Sequence, residues 1–288
     1  MSRWEPWIGR SETSADRVDE ARLARWLATL DRSAPEDGTA PQGFHWCLCT
    51  PDDPTARLGA DGHRARDETA AGFLPPAPLP RRMWASSRLD FHQPLRAGEP
   101  VGRTSRIISI KEKQGSSGEL LFVDIEHRLD GSAGLAIREL QTIVYCEPVV
   151  AGGQPAAADP DEQLPSEAAA GTASRTIRPS EALLFRYSAL TFNSHRIHYD
   201  KPWAVDAEGY AGVVVQGPLT ATLLLDLARR ELGDNRLEHF SFRGVSPAIA
   251  NEELVLTMTV AGAEVVFIAS TSRGRPVMTA RGRTQFGG

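Results

Sequence analysis

The chain has 288 residues, 41% hydrophobic and 24% charged, which suits one large globular domain or two of roughly 140 residues. With 32 Lys and Arg against 37 Asp and Glu the net charge is −5, the wrong sign for a general nucleic-acid binder but compatible with a local basic patch for a phosphorylated ligand. No apolar run reaches the ~18 residues of a transmembrane helix, and residues 1–10 lack a signal pattern, so a cytoplasmic protein without a membrane partner is expected. Cys47, Cys49 and Cys146 are too few and too unevenly spaced for a disulfide framework or a zinc site.

In chain order, residues 15–30 predict the first helix, with Leu23, Trp26, Leu27 and Leu30 at i, i+3, i+4 and i+7. Residues 31–80, rich in Pro, Gly and Asp, predict an irregular excursion with short helical turns, and 73–84 must be extended at its prolines. Strands are expected at 103–111, 120–129 and 136–146. Residues 151–174, rich in Ala, Gly, Pro and acidic residues and without hydrophobic period, read as a linker between a unit at 1–150 and a unit at 175–288. Beyond it, 218–232 predicts a deeply buried helix, with Leu219, Leu223 and Leu227 on one face, Pro218 at its start and Gly233 at its stop. Strands follow at 253–260, 264–270 and 277–286.

The halves share a weak repeat. Setting Pro94 on Pro247 also aligns Ala97 with Ala250, Glu99 with Glu252 and Val101 with Leu254, each copy running on into strands. The pattern implies a duplicated α+β unit, a long helix on an antiparallel sheet.

The densest polar segment is 185–200, which gathers Asn193, His195, Arg196, His198, Tyr199 and Asp200; a Gly217–Pro218 step follows at the head of the buried helix. These two segments resemble the hydratase-2 motif of MaoC-like hot-dog enoyl-thioester hydratases, roughly Leu-Ser/Thr-Gly-Asp-x-Asn-Pro-x-His, aligned from Leu190 to His198. The histidine is kept at His198, whereas Asn193, His195 and Arg196 replace the aspartate, asparagine and proline. The departing version, together with the start at Trp7–Arg10 and the segments 26–31 and 81–85, is similar to the double hot-dog branch that includes mesaconyl-C4-CoA and itaconyl-CoA hydratases and related 3-hydroxyacyl-thioester dehydratases.

That resemblance implies a double hot-dog with a degenerate first half that builds the substrate tunnel, and one active site near the junction. It also implies roles. Adding water to an enoyl thioester needs a base for the water and donors for the developing enolate oxygen. His198 is the expected base, Asn193 would orient the water, and His195 would assist. The Gly217 N–H is the expected oxyanion donor, because Pro218 has none to give. Arg81, Arg82, Arg103, Arg106 and Arg196 are candidates for coenzyme A phosphates or a free acyl carboxylate, Arg196 foremost; Tyr199 and Gln216 are further substrate-facing candidates, and Trp46 and Trp84 are core or pocket lining. The His195/His198 spacing lacks a third metal ligand, so no metal is expected, and no cofactor beyond the coenzyme A of the substrate. The expected reaction hydrates a branched C4–C5 dicarboxylic acyl-CoA, itaconyl-CoA or mesaconyl-C4-CoA, to citramalyl-CoA. A 3-hydroxyacyl-ACP or -CoA dehydratase, a hot-dog thioesterase and a non-catalytic acyl-thioester binding module are the alternatives, and monomer and homodimer are both open.

Overall fold

The computed structural model describes residues 3–65, 72–115, 118–147 and 172–284. In the first half β1 (Ser11–Arg17) and α1 (Glu20–Thr29) precede the excursion, and β2 (Arg81–Phe91), β3 (Pro100–Gly115), β4 (Gly118–Gly131) and β5 (Gly134–Cys146) follow it. The second half comprises β6 (Thr172–Ile177), α2 (Glu181–Thr191), α3 (Gly217–Leu232), β7 (Leu237–Gly244), β8 (Leu254–Ala261), β9 (Glu264–Thr271) and β10 (Pro276–Thr284). Most of the expected linker, residues 151–171, lies outside the described residues; its last three, Thr172 to Ser174, belong to β6, paired with Thr259 to Thr257 of β8.

All strands join one antiparallel sheet in the order β1-β3-β4-β5-β2-β7-β10-β9-β8-β6. The order is the same from either edge inward when β1–β5 are matched to β6–β10, as a duplicated unit requires. The seam is β2 against β7, from Ser86↔Arg243 to Asp90↔His239. The Pro94/Pro247 repeat has a backbone signature. His92 and Gln93 both donate to the Ala136 carbonyl, at 2.8 and 3.2 Å, and Val245 and Ser246 both donate to Val277, at the same two distances. Ala40 N–H donates to Leu95 in one half and Val215 N–H to Ala248 in the other.

The helices break this symmetry. In the second half α3 fills the concave face of its sheet, with Leu219, Leu223 and Leu227 all buried. Asp226 on the same helix is buried and clamped by Arg175 of β6 at 2.8 Å and by Arg230 at 2.7 Å. Among the described residues the first half has no such buried helix, its one α-helix being the ten-residue α1, where one long helix per unit is expected. Where α3 follows Val215 in the second half, the stretch that follows Ala40 in the first begins with only a 3₁₀ turn, Phe44–Cys47. The expected helix at 15–30 begins only at Glu20, because Asp19 caps it by accepting from Arg22 N–H, and residues 11–17 pair with β3 as an edge strand. α1 packs on α2, whose cap Ser180 accepts from Leu183 N–H in the same way. With no central helix, the concave face of β2–β5 opens onto a cavity.

Candidate active site

The cavity, about 2230 Å³, is lined by both halves. On the second-half side, α2 ends at Phe192 in a left-handed conformation, and the chain then turns twice. Asn193 Oδ1 accepts from His195 N–H at 3.0 Å, which makes an Asx turn. A 3₁₀ turn, Arg196–His198, follows. It is stapled to the segment leading into α3: Val214 N–H donates to Ile197 O at 2.8 Å, and His198 Nδ1 lies 2.7 Å from Val214 O. A carbonyl only accepts, so Nδ1 carries the proton and Nε2 presents its lone pair. Burial pulls the His198 pKa down to about 3 against that hydrogen bond, with His195 and His63 adding to the fall. His198 is therefore neutral at working pH.

Gly217 opens α3 behind Gln216, whose side chain does not cap the helix. It reaches instead to Leu184 O at 3.0 Å and Ser188 Oγ at 2.9 Å. The first-turn N–H groups are left uncapped, and a Cβ built on Gly217 would meet nothing within 4 Å. Open space in front of a positive helix end suits a developing oxyanion.

The first half contributes a loop that sequence reasoning missed, Asp61–Gly62–His63. Two hydrogen bonds and a close backbone approach lock it to the second half. Arg196 N–H donates to Asp61 O at 2.8 Å, Ser194 Oγ donates to Gly62 O at 2.6 Å, and a Cβ at Gly62 would stand 2.0 Å from Ser194 O. The His63 ring stacks on His195 with centroids 4.0 Å apart, and His195 meets His198 edge-on at 5.4 Å. His63 Nδ1 lies 3.1 Å from Asp61 Oδ2. His195 Nε2 lies 3.4 Å from Glu208 Oε1, and Glu208 also faces Arg81 Nε at 3.5 Å and Trp203 Nε1 at 3.4 Å. Asp61, His63 and His195 bring one donor atom each within 4.8 Å of one another. This is the third-ligand geometry that the His195/His198 spacing did not reveal, and it leaves His198 out. Asp61 is already committed to His63, and His195 to Glu208.

The Asn193 carbonyl oxygen gives one lone pair to its turn, which fixes the side chain at the cavity wall. Several expected roles are corrected. Arg196 is a strap: its Nε and Nη2 donate to Asp200 at 2.9 and 2.5 Å, its Nη1 donates to Ala60 O at 3.0 Å, and the guanidinium lies 4.0 Å over the Trp203 ring. It does not line the cavity. Arg106 is exposed on the outer face of β3, because Ser105 and Ile107 take the inner positions. Gln216 is a buried bracket between α2 and α3 that also lines the cavity, with its Oε1 unpartnered among the described residues. Tyr199 lines the cavity, is mostly exposed, and donates to Ser194 O at 3.2 Å.

Arg81, Arg82 and Arg103 do line the cavity. Arg81 is buried, tied to Glu208 and donating to the Tyr210 hydroxyl. Arg82, with Arg243 from β7, has no hydrogen-bond or ion-pair partner among the described residues, and both line the cavity. Arg103 belongs to a polar floor on the concave face of β2–β5. Its Nε is buried without a partner. Beside it, His127 bonds Ser105 at 2.8 Å and Gln141 at 3.2 Å. Glu139 is buried, accepts from Ser87 Oγ at 2.5 Å, and lies 3.7 Å from His45 Nε2. Neither ring nitrogen of His45 makes a hydrogen bond. Trp46 and Trp84 line the same cavity, edge to face at 5.8 Å.

Comparison with known proteins gives a consistent picture. The family model for hydroxyacyl-thioester dehydratase type 2 matches residues 43–250. The chain is 44% identical over 247 residues to a mesaconyl-C(4)-CoA hydratase of Chloroflexus aurantiacus, covering 85% of this chain and 84% of the relative. It is 27% identical over 296 residues to the mitochondrial hydroxyacyl-thioester dehydratase type 2 of Schizosaccharomyces pombe, covering 93% and 96%. Among solved structures, a MaoC-like dehydratase from Phytophthora capsici superposes with a TM-score of 0.69 at 16% identity, covering 96% of each chain.

Proposed function

The chain belongs to the hydroxyacyl-thioester dehydratase type 2 family, and from that membership we propose that it is a hydro-lyase adding water to a branched C4–C5 dicarboxylic enoyl-CoA, reversibly. Mesaconyl-C4-CoA is the favoured substrate and citramalyl-CoA the product; itaconyl-CoA, the alternative, would place the enzyme in itaconate degradation. With mesaconyl-C4-CoA, water oxygen bonds to the carbon β to the thioester, a proton goes to the α carbon, and charge passes through the thioester oxygen; itaconyl-CoA, whose double bond is not conjugated with the thioester, would first have to isomerise. The Gly217 N–H faces that oxygen, and His198 Nε2 accepts a hydrogen bond from the attacking water. Arg82 and Arg243 suit the phosphates of coenzyme A, which enters only as part of the substrate; no further cofactor is required. The unpaired cysteines support a reducing, cytoplasmic location.

The observation that carries the choice of acyl group is the polar floor. A tunnel for a fatty acyl chain would be lined by apolar side chains. Here the hollow of the first half ends in Arg103, His127, His45 and Glu139, and two of these carry buried nitrogens without hydrogen bonds. Such atoms are costly unless a ligand satisfies them, and a carboxylate on the acyl group supplies the acceptor.

The test offers mesaconyl-C4-CoA, itaconyl-CoA and crotonyl-CoA in turn, following enoyl-thioester absorbance and product mass, with His198→Ala and Arg103→Met alongside. A gain of one water on the dicarboxylic substrates, lost in His198→Ala, is expected. Arg103→Met should raise KM for the dicarboxylic substrate about tenfold or more, the loss of one charged hydrogen bond, and leave crotonyl-CoA unchanged. Activity confined to crotonyl-CoA or longer chains makes the protein a fatty-acid dehydratase, and release of free thiol without hydration makes it a thioesterase.

A further inference from the structure

The aspartate of the hydratase motif is replaced by Asn193, whose carbonyl oxygen is bound in its own turn. The site must find a carboxylate elsewhere or work without one. Two carboxylates approach the histidines. Glu208 is engaged by His195, Trp203 and Arg81 together. Among the described residues Asp61 hydrogen-bonds through its carboxylate to His63 alone, with Oδ1 accepting from His63 N–H at 3.0 Å and Oδ2 3.1 Å from His63 Nδ1, and His195 lies nearby. We propose that Asp61 and His63 are the missing half of the catalytic machinery: His63 Nε2 is the group that takes the proton from water, and Asp61 is its positioning residue. This rests on the hydratase reading above and assigns the proton within it.

The geometry favours His63 over His198 as the proton carrier. Each ring has Nδ1 committed and Nε2 without a partner among the described residues, and both rings line the cavity on either side of His195. Behind His198 stands a neutral carbonyl, and behind His63 a carboxylate. An imidazolium is stabilised by a carboxylate on its far nitrogen, and this also fixes the tautomer and the ring. Burial pulls His63 down to about 4, against the hydrogen bond to Asp61, with Arg82 and His195 adding to the fall. Asp61 stays well below the usual carboxylate range, because the hydrogen bonds and charge of His63 outweigh its burial. The resting state is thus a neutral imidazole on an ionised carboxylate, the form that can accept a proton.

Water has two hydrogens, and the site offers two lone pairs. One hydrogen bonds to His198 Nε2 and stays. The other moves to His63 Nε2 as the water oxygen bonds to the β carbon and the π electrons pass to the thioester oxygen. The His63 imidazolium, held by Asp61, then returns its proton to the α carbon as the enolate collapses. Both histidines end neutral, and the substrate has gained one water. The charged and titratable groups facing His63 are Asp61 on its own loop, Arg82 from β2, and His195 and His198 from the turns after α2.

The experiment compares wild type with His63→Gln, His63→Ala, Asp61→Asn and Asp61→Glu on whichever enoyl-CoA the wild type hydrates, with thermal unfolding as the control for folding. His63→Gln should lower kcat by about 100-fold or more with KM changed less than about threefold. Asp61→Asn should lower kcat less and move the acidic limb of the pH profile to lower pH, because removing the carboxylate makes His63 a weaker base; Asp61→Glu should recover part of the rate. Exogenous imidazoles should restore His63→Ala at rates that rise with their pKa, a response that a structural histidine would not give. A folded His63→Gln with kcat within about threefold of wild type overturns the assignment. So does loss of wild-type activity on chelation with recovery on added zinc, which would make Asp61, His63 and His195 a metal site. An active wild type with unimpaired His63→Gln removes this proposal alone; a wild type silent on every enoyl- and 3-hydroxyacyl-CoA removes the hydratase reading with it.

Discussion

His198 and His63 are neutral in the fold because burial penalises their charged forms, with pKa values of about 3 and about 4. In the unfolded chain both revert to about 6.5. Between these limits the unfolded state binds more protons, so stability is fully present above about pH 6.5 and is lost as pH falls toward the folded values. Asp61, also lowered, acts in the same direction further down. Denaturant titrations should show a loss on the order of 3 kcal/mol for His198 alone between pH 7 and about pH 4, and the His198→Gln variant should show a shallower slope. A slope unchanged in that variant would mean that the ring is solvated. The residue scale also marks how far the sequence could be read. His198 and Gly217 stand in a recognisable motif, and the structure puts both on one cavity. Asp61 and His63 were invisible because their partners lie more than a hundred positions along the chain; the only local signal was an Asp-Gly-His triplet inside a Pro- and Gly-rich stretch. Arg196 was misjudged because adjacency in sequence to His198 says nothing about direction: the 3₁₀ turn sends His198 inward and Arg196 outward to Asp200.

At the level of elements, the long strands and α3 were legible because burial on one face imposes a period on the sequence. β3, β4, β5, β8, β9 and β10 all overlap their expected spans. β1 was not legible: SETSADR carries almost no apolar residue and pairs only on one side, against β3. α2 was hidden because Leu184 and Tyr187 are buried while Phe185 between them is exposed, which blurs the helical stripe. The loop at 61–63 depends on one backbone conformation. Gly62 has φ +85°, and a Cβ there would clash with Ser194 O. Gly38 has φ +71° and open space. Both alanine variants should lose about 1–3 kcal/mol for the left-handed backbone, read by thermal unfolding. Only Gly62→Ala should also lose hydration activity, because it pushes the loop off the second half. Equal rates in the two variants would show that the loop does not need its seat.

For the molecule as a whole, symmetry in the sheet and asymmetry in the helices have separate consequences. The sheet supplies a continuous support across the β2–β7 seam. Omission of a central helix from one half supplies the space. Residues 172–284 expressed alone would keep α3, His195 and His198 but lose Asp61 and His63, and would bare β7 along its whole length. An open strand edge invites pairing, so size-exclusion chromatography should show a self-associated species, and hydration assays no activity. A monomeric, active fragment would contradict a site built from both halves. The absence of the first-half helix was beyond the sequence reading because Pro- and Gly-rich text in 31–80 specifies irregularity without saying what it displaces.

The β2–β7 seam has a further consequence, in how the enzyme responds to dilution. Where two separate chains must meet to complete a site, the assembled fraction falls with concentration, and so does apparent stability. Here the two contributors are parts of one polypeptide, and their encounter is unimolecular at any concentration. The meeting of these two contributors is therefore set by folding of the chain and not by how scarce the protein is.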